Sequence, residues 1–208
     1  MVEILNFNLP VRKESMMKKI KIIAIVGKSG SGKDYWLRKI CDNDEEVHEI
    51  ISCTTRPARW TEVNGKNYHF LTENQFMSEQ FLESCMFKGW RYGTRYKDIA
   101  ENKVNIGVFN LTGVEQLLKN PKVDLTMIYL YAENKVRLIR QLQRDSSDIE
   151  EIFRRYQADE IDFTKLRIDK IKEQIPVHIV LNNTDNQSDD DEFIAQDLDE
   201  IIEEVKSK

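Results

Sequence analysis

A glycine-rich segment near the start of the chain has the residue types and spacing of a loop that binds phosphate. It reads Gly27-Lys28-Ser29-Gly30-Ser31-Gly32-Lys33 and follows an apolar run from Ile20 to Val26. Glycines let main-chain N–H groups converge on phosphate oxygens, a helix start adds roughly +0.5 charge, and the terminal lysine neutralises the outer phosphates. The segment predicts a site for a nucleoside triphosphate, with a strand before the loop and a helix after it.

Asp34 follows this loop at the position where a Ser or Thr hydroxyl usually contacts Mg²⁺. A carboxylate is a hard oxygen ligand, so Asp34 can contact the ion directly or through a water molecule. Alternatively, Asp34 only favours the start of the helix, where negative charge is stabilised. The sequence leaves both interpretations open, and Asp34 is the one candidate metal ligand.

Two further groups of basic residues have the chemistry to hold phosphate. Residues 52–59 read Ser52-Cys53-Thr54-Thr55-Arg56-Pro57-Ala58-Arg59, and a pair of planar guanidinium groups suits bidentate contact with phosphate. The second group flanks the polar segment 145–148 and suggests a lid that closes over a transferring phosphate. For both groups the alternative is a set of solvent-facing side chains. The second group consists of Lys135, Arg137, Arg140, Arg144, Arg154 and Arg155.

Alternating apolar runs and helical patterns predict the elements that position these residues. The pattern indicates an α/β fold with a parallel sheet and helices on both faces, which binds ligands beyond the carboxyl ends of its strands. The predicted strands are Ile20–Val26, Val47–Cys53, Val104–Phe109, Leu125–Tyr131 and Val177–Leu181. The predicted helices are Tyr35–Cys41, Val114–Lys119, Glu133–Gln143, Asp148–Lys172 and Asp191–Val205.

Two regions depart from this alternation. Residues 54–95 are rich in glycine and aromatic residues and predict an inserted small α+β subdomain. Residues 185–208 contain ten acidic residues and two lysines, a net charge of −8, so the rest of the chain carries +3. The acidic end predicts an amphipathic closing helix with a solvated acidic face. Its apolar positions are Phe193, Ile194, Leu198, Ile201, Ile202 and Val205.

The order of these motifs resembles the guanylate kinase family of phosphate-loop nucleoside monophosphate kinases, from about Lys18 to the end. Further matching segments are 62–70, 81–83 and 92–94, which read EVNGKNYHF, FLE and YGT. The resemblance implies a core of residues 19–53 and 96–208, an acceptor-binding insert of 54–95, and a helical lid of about 140–156. Residues 1–18 are an N-terminal extension.

The resemblance also implies a role for each site residue. ATP would bind to residues 27–34, and Lys33, Arg140, Arg144 and Arg155 would act on the transferring phosphate, with Mg²⁺ as cofactor. The insert would bind GMP. Its phosphate would be held by Arg56, Arg59, Tyr68 and Tyr92, and its base would be read by Ser52, Glu83 and Thr94. Independently, one carboxylate such as Glu83 matches the two neighbouring donors of guanine, which adenine lacks.

One segment departs from the family pattern. Guanylate kinases usually have Asp-x-Asp-x-x-Gly where this chain has Val108-Phe109-Asn110-Leu111-Thr112-Gly113, so both acidic residues are missing. Asp34 and Asn110 are candidate substitutes. The expected reaction is ATP-dependent phosphorylation of GMP, and dGMP is a further candidate acceptor. Alternatives are a kinase for another nucleoside monophosphate or a phosphorylated ribose, and a catalytically retired binding module.

Composition limits the setting in which the protein works. The chain of 208 residues suits one domain with insertions, and its three cysteines lack metal-ligand spacing and fit a reducing compartment. No apolar run approaches the ~20 residues that span a membrane, and the first 19 residues lack the features of a secretion signal. We expect a cytoplasmic monomer or homodimer that binds small nucleotides, with neither nucleic acid nor membrane as partner.

Overall fold

The fold is built on a five-stranded parallel sheet. We describe it from a computed structural model, which covers residues 18–87, 89–144, 149–183 and 189–208. The sheet order is β2-β7-β1-β8-β9, with β1 at the centre. These strands are β1 Ile20–Val26, β2 Val47–Glu49, β7 Val104–Val108, β8 Val123–Tyr131 and β9 Val177–Leu181.

Seven helices accompany the strands of the described chain. They are α1 Lys33–Asn43, α2 Glu73–Met77, α3 Leu111–Leu117, α4 Asn134–Arg144, α5 Ile149–Asp162, α6 Lys165–Lys172 and α7 Asp189–Ser207. The prediction of one helix over 148–172 is wrong. The chain leaves the helical path after Asp162, and the Thr164 side chain accepts a hydrogen bond from the Arg167 amide, which starts a new helix.

Both faces of the parallel sheet are buried. Along β1, Ile23 and Ile25 face a core shared with α1 and α7, whereas Ile22 and Ala24 face a core shared with α3 and α6. A strand that is covered on both faces is apolar throughout rather than alternating. The predicted α/β class with helices on both faces is therefore confirmed, and this packing fixes the carboxyl edge of the sheet where the glycine-rich loop begins.

A second sheet of four strands occupies the region that interrupts the alternation. Its strands are β3 Cys53–Thr54, β4 His69–Phe70, β5 Phe81–Phe87 and β6 Trp90–Arg95, in the order β4-β3-β6-β5. The prediction of one strand over 47–53 is wrong because the run ends at Glu49 and resumes in this second sheet. A short 3₁₀ turn, Tyr96–Asp98, follows it. The limits of the insert as an acceptor-binding unit stay a prediction.

The closing helix α7 is amphipathic, as predicted. Five of its predicted apolar residues are buried, namely Ile194, Leu198, Ile201, Ile202 and Val205. Phe193 is 70% exposed, so its assignment to the apolar face is wrong. Among the described helices, none is both long enough and apolar enough to cross a bilayer. The predicted extension falls almost entirely on residues 1–17, outside the described chain.

Candidate active site

The glycine-rich loop connects the central strand β1 to α1 and has the backbone shape that the sequence predicts. Gly30 and Gly32 have φ angles of +81° and +91°, in the region that side chains disfavour. Gly32 directly precedes α1. A Cβ on Gly32 would lie 2.5 Å from Asn182 Nδ2, and one on Gly30 would lie 2.6 Å from the Arg137 carbonyl oxygen. Glycine is therefore required here both for backbone conformation and for space.

Side chains from α4 and from the end of β9 hold this loop from behind. Asn182 Nδ2 donates to the Ser31 carbonyl at 2.8 Å. Arg140 Nη1 donates to the carbonyls of Gly30 at 3.3 Å and of Asn182 at 3.2 Å. Arg137, whose side chain is fully buried, donates to the Ser29 carbonyl at 3.2 Å. These bonds to carbonyl groups of the loop fix the path of its backbone from behind.

Lys33 and Asp34 begin α1 at the wall of a cavity of about 680 Å³. Lys33 Nζ donates to the Lys28 carbonyl at 3.2 Å. Burial lowers the pKa of Lys33, while the nearby carboxylates of Asp34 and Asp159 act in the opposite direction. The carboxylate of Asp34 is exposed, so it is accessible to a ligand in the cavity.

The second sheet supplies the opposite wall of the same cavity. Arg56 Nη2 donates to Glu62 Oε1 at 2.8 Å, and the Arg59 amide donates to Glu62 Oε2 at 2.8 Å. The guanidinium of Arg56 also lies 5.5 Å from the ring centre of Tyr68, whose pKa burial raises to about 12. Tyr92 lies on β6 next to these groups, with its ring centre 6.0 Å from that of Tyr68. Two arginines and two tyrosines thus converge on one region.

Glu83 lies deeper on this wall and is only 6% exposed. Burial raises the pKa of Glu83 to about 7, although the neighbouring Thr94 acts against the rise. Thr94 is its partner on the adjacent strand β6. A Cβ on Gly113 would approach Glu83 Oε2 to 3.1 Å, so the glycine leaves room for the carboxylate. The cavity therefore holds a buried acid whose pKa is raised mainly by its burial.

Helix α5 contributes acidic and basic side chains to the cavity. Arg155 Nε donates to Glu151 Oε1 at 2.7 Å, and both residues line the cavity together with Arg144 at the end of α4. Asp159 lies one turn after Arg155 on the same face of α5. The predicted lid of about 140–156 includes residues 145–148, which lie outside the described part of the chain. The two helices that flank this segment therefore carry the lid arginines that the structure describes.

Most of the predicted site residues are brought together around this one cavity. The predicted residues that line it are Gly27, Ser29, Gly30, Lys33, Asp34, Ser52, Arg56, Arg59, Tyr68, Glu83, Tyr92, Arg144 and Arg155. Those that do not line it are Lys28, Ser31, Gly32, Thr94 and Arg140. Lys28 instead pairs with Glu160 at 2.6 Å, and Thr94 is fully buried beside Glu83.

The position of Arg140 differs from the predicted one. Its described bonds reach main-chain and side-chain oxygens of Gly30 and Asn182 behind the loop, away from the cavity. Arg140 does not line the cavity, and these bonds help to shape the loop; its catalytic assignment stays a prediction. Arg137 belongs to the same basic cluster of the sequence and was not among the predicted site residues. Sequence alone does not distinguish arginines that face the loop, such as Arg137 and Arg140, from arginines that face solvent.

Asp159 was absent from the predicted site, although a signal for it was present. Glu151, Arg155 and Asp159 are spaced by four residues, which places them on one face of a helix. The Ser29 amide donates to Asp159 Oδ2 at 2.7 Å, so this face reaches the phosphate loop. Extending the predicted arginine site by one helical turn would have found this residue.

Asn110, a candidate substitute for the missing acidic residues, lines the cavity, and its role as a substitute stays a prediction. Asn110 Oδ1 accepts a hydrogen bond from the Gly113 amide at 2.7 Å and caps α3, while its Nδ2 donates to Cys85 Sγ at 3.1 Å. Among the described residues no group of three or more His, Cys, Asp and Glu side chains is arranged for a metal. Mg²⁺ requires fewer protein ligands when phosphates complete its shell, so Asp34 fits this chemistry.

Comparisons with known proteins agree with this geometry. Residues 19–205 match the family model described as guanylate kinase. A guanylate kinase of Nostoc sp. is 29% identical over 173 residues, which cover 72% of this chain and 86% of that protein. One from Schizosaccharomyces pombe is 30% identical over 156 residues, covering 64% and 77% respectively. The crystal structure of guanylate kinase from Anaplasma phagocytophilum shares the fold, with a TM-score of 0.56 and 16% identity over 93% of this chain and 90% of that chain.

Proposed function

This chain belongs to the guanylate kinase family, and from that membership we propose that it transfers the γ-phosphoryl group of ATP to GMP. It is a nucleoside monophosphate kinase by family. One observation carries the proposal. A single cavity is lined on one wall by the phosphate loop and on the other by Arg56, Arg59 and Glu83. Donor and acceptor phosphates held at these walls would face each other.

The residues of this cavity suit phosphoryl transfer, which depends on positioning and on neutralising charge rather than on covalent catalysis. The loop amides and Lys33 would bind the phosphates of ATP. Arg56 and Arg59 would hold the acceptor phosphate once it replaces their contacts with Glu62. Arg144 and Arg155 would compensate negative charge on the transferring group. In-line transfer then needs only that the acceptor oxygen approach the γ-phosphorus opposite the leaving oxygen.

We propose Mg²⁺ as the cofactor, with Asp34 as its protein ligand, directly or through water. When bound, the ion would neutralise charge on the phosphates and help to orient them. Asp34 supports this assignment because its carboxylate is exposed in the cavity and adjacent to Lys33. Neither Val108 nor Asn110 provides a carboxylate, so Asp34 is the acidic residue of the described loop region in a position to do so.

The acceptor is assigned from the chemistry of Glu83. Guanine presents a ring N–H and an exocyclic amine side by side, and one carboxylate can accept from both. A site that buries such an acceptor rejects a base without the donors, by a factor on the order of 10⁴–10⁵ in favourable cases. The position of Glu83 supports the proposal, because its carboxylate is buried and lines the cavity, where a bound base can donate to it.

A coupled assay of ADP release tests the proposal directly. The protein is assayed with ATP and each of GMP, dGMP, AMP, UMP and a ribose phosphate, with and without Mg²⁺. We expect activity with GMP to exceed that with AMP or UMP by at least about 100-fold, since both competitors lack the paired donors of guanine. Equal activity with AMP would reject the guanine assignment, and ADP release with a ribose phosphate alone would favour that alternative acceptor.

We further propose roles for two segments of the chain. Residues 54–95 would act as the acceptor-binding unit, and residues of about 140–156 would act as the lid. The three cysteines are free, which supports work in a reducing compartment such as the cytoplasm. We propose that the protein works as a monomer or a homodimer, since residues of one chain line both walls of the cavity. The intact phosphate loop disfavours the retired binding module, which would have no need of Lys33.

A further inference from the structure

A carboxylate of the protein already occupies a donor of the phosphate loop. The Ser29 amide donates to Asp159 Oδ2 at 2.7 Å, and the Ser29 hydroxyl donates to Asp159 Oδ1 at 3.3 Å. Both residues line the cavity. The contact joins positions 130 residues apart, and the amide distance is that of a charge-assisted hydrogen bond. An anion therefore lies where the loop is built to receive one.

Other groups hold this carboxylate in place. Arg137 Nη1 donates to Asp159 Oδ2 at 3.3 Å and to the Ser29 carbonyl at 3.2 Å, so one buried guanidinium bridges both partners. Arg137 Nη2 is directed to Asn134 at 2.7 Å. Lys33 is close enough for Asp159 to influence its pKa. The carboxylate is thus supported by positive charge from two elements, and its position is not that of an unrestrained surface side chain.

A phosphate oxygen and this carboxylate cannot use the Ser29 amide together. The amide has one hydrogen, and each acceptor needs to approach its nitrogen to about 2.9 Å. Two anions at that separation from the same nitrogen would also repel each other. Binding of a triphosphate that uses every amide of the loop therefore requires the Asp159 carboxylate to leave.

We propose that Asp159 is an internal competitor for nucleoside triphosphate, which occupies the Ser29 donors of the empty loop and is displaced when the phosphates bind. The inference rests on the proposed function only in that the loop receives a triphosphate. Because Arg155 lies one turn earlier on α5, displacement of Asp159 also couples occupancy of the loop to the position of Arg155. By this competition Asp159 lowers the affinity of the loop for phosphate ligands.

The Asp159→Asn substitution tests this competition by calorimetric titration with ATP and with inorganic triphosphate. Asparagine keeps the size of the side chain but replaces a charge-assisted hydrogen bond by a weaker neutral one. We expect the dissociation constants of both ligands to fall at least about fivefold. If Asp159 only supported the structure of the loop, the substitution would weaken binding of both ligands instead. Unchanged or weaker binding overturns the proposal.

Asp162→Asn is the matched control for charge. Asp162 lies on the same helix and lines the same cavity, but it pairs with Arg167 at 2.6 Å rather than with the loop. We expect its dissociation constants to change by less than about twofold, because removal of a distant charge acts only through a screened field. If both variants gained the same affinity for triphosphate, the effect would come from net charge, and the proposal of direct competition would be overturned.

A measurement on the unmodified protein covers the case in which Asp159→Asn folds poorly. Nuclear magnetic resonance can follow the Asp159 carboxyl carbon and the Ser29 amide while inorganic triphosphate is added. We expect both signals to shift with the same saturation curve, whereas a carboxyl signal that stays constant at saturation overturns the proposal. Neither experiment contains GMP, so failure of the proposed GMP kinase activity would leave this test valid and separately interpretable.

Discussion

The side-chain amide of Asn182 donates to the main-chain oxygen of Ser31 over 2.8 Å, which ties the end of β9 to the phosphate loop. Asn182 is only 3% exposed. Asn182→Ala would leave the loop carbonyl without this donor, so we expect the free energy of unfolding to fall by about 1–3 kcal/mol and the KM for ATP to rise. Urea denaturation and initial rates measure the two effects.

Asn183→Ala is the control for this prediction. Asn183 also makes two side-chain hydrogen bonds, but both join it to Glu133 at the surface. We expect a smaller loss of stability and an unchanged KM for ATP. A KM that rises equally in the two variants would show that the link between Asn182 and Ser31 is not specific to the loop.

Lys33 is expected to act mainly on the rate of transfer. Its ammonium group lies at the loop, where it would neutralise charge that develops on the phosphates. We expect Lys33→Ala to lower kcat by about 10²–10³, comparable to the loss of one transition-state donor elsewhere. Steady-state rates at saturating substrates provide the measurement. Lys39 lies on the same helix and pairs with Asp191, so Lys39→Ala is expected to keep kcat within about twofold. A preserved rate in Lys33→Ala would exclude Lys33 as the group that neutralises the phosphates.

The raised pKa of Glu83 predicts how GMP binding depends on pH. Guanine requires the ionised carboxylate as acceptor of two hydrogen bonds, and the free site titrates at about 7. We expect GMP affinity to be constant above that pH and to fall up to about tenfold for each pH unit below it. Calorimetric titrations between pH 5.5 and 8.5 measure this dependence. In Glu83→Gln the affinity should be weaker and flat with pH, and a flat wild-type profile would contradict the assignment.

The same group predicts the opposite trend for stability without ligand. Its pKa is near 7 in the folded chain and 4.5 as an ordinary glutamate, so between these values the folded state binds more protons. The contribution of Glu83 is therefore present below pH 4.5 and is lost as pH rises through 7, on the order of 3 kcal/mol. The difference in unfolding free energy between wild type and Glu83→Gln isolates this trend from other titrating groups. A difference independent of pH would refute it.

Arg56 is expected to contribute more than Arg59 to acceptor binding. The Arg56 side chain is 14% exposed against 59% for Arg59, and it lies over the Tyr68 ring. A desolvated guanidinium binds phosphate more strongly, so we expect Arg56→Ala to raise the KM for GMP by about tenfold or more and Arg59→Ala by less. The KM for ATP should stay constant in both. Arg91→Ala, whose side chain pairs with Glu73 outside the cavity, controls for loss of charge in the insert.

Asp34 is expected to set the Mg²⁺ requirement. If its carboxylate contacts the ion or a bound water, Asp34→Ala should raise the Mg²⁺ concentration for half-maximal activity several-fold, because alanine offers no oxygen ligand. Titration of Mg²⁺ at fixed ATP measures this value. Asp42→Asn, an exposed acid near the end of the same helix, serves as the control. An unchanged Mg²⁺ dependence and rate in Asp34→Ala would leave only the helix-start interpretation.

The parallel sheet was predictable because its strands are buried on both faces and appear in the sequence as continuous apolar runs. β1 and β9 have the predicted limits. The prediction of one strand over 47–53 was wrong, because consecutive apolar residues do not show where a chain leaves one sheet and enters another. The break before Thr164 was missed for a similar reason, because a helical pattern continues in phase across a two-residue interruption.

The site was predictable where a residue lies within a dense local motif, such as Lys33 or Arg56. It was not predictable where the role depends on how far along a helix a residue lies relative to the loop. Arg140 and Arg144 differ by one turn, yet the first bonds to the back of the loop and the second lines the cavity. Asp159 needs the same tertiary information, because its partner Ser29 lies 130 positions earlier in the chain.

The central position of β1 has a consequence for synthesis of the chain. β1 pairs with β7 and β8, and β8 is not complete until Tyr131 has been made. Contacts this distant slow folding because a long segment must be closed before they are gained. A nascent chain that ends at the loop would carry every glycine of the motif but would lack both strands that flank β1, so the loop gains its frame only late in synthesis.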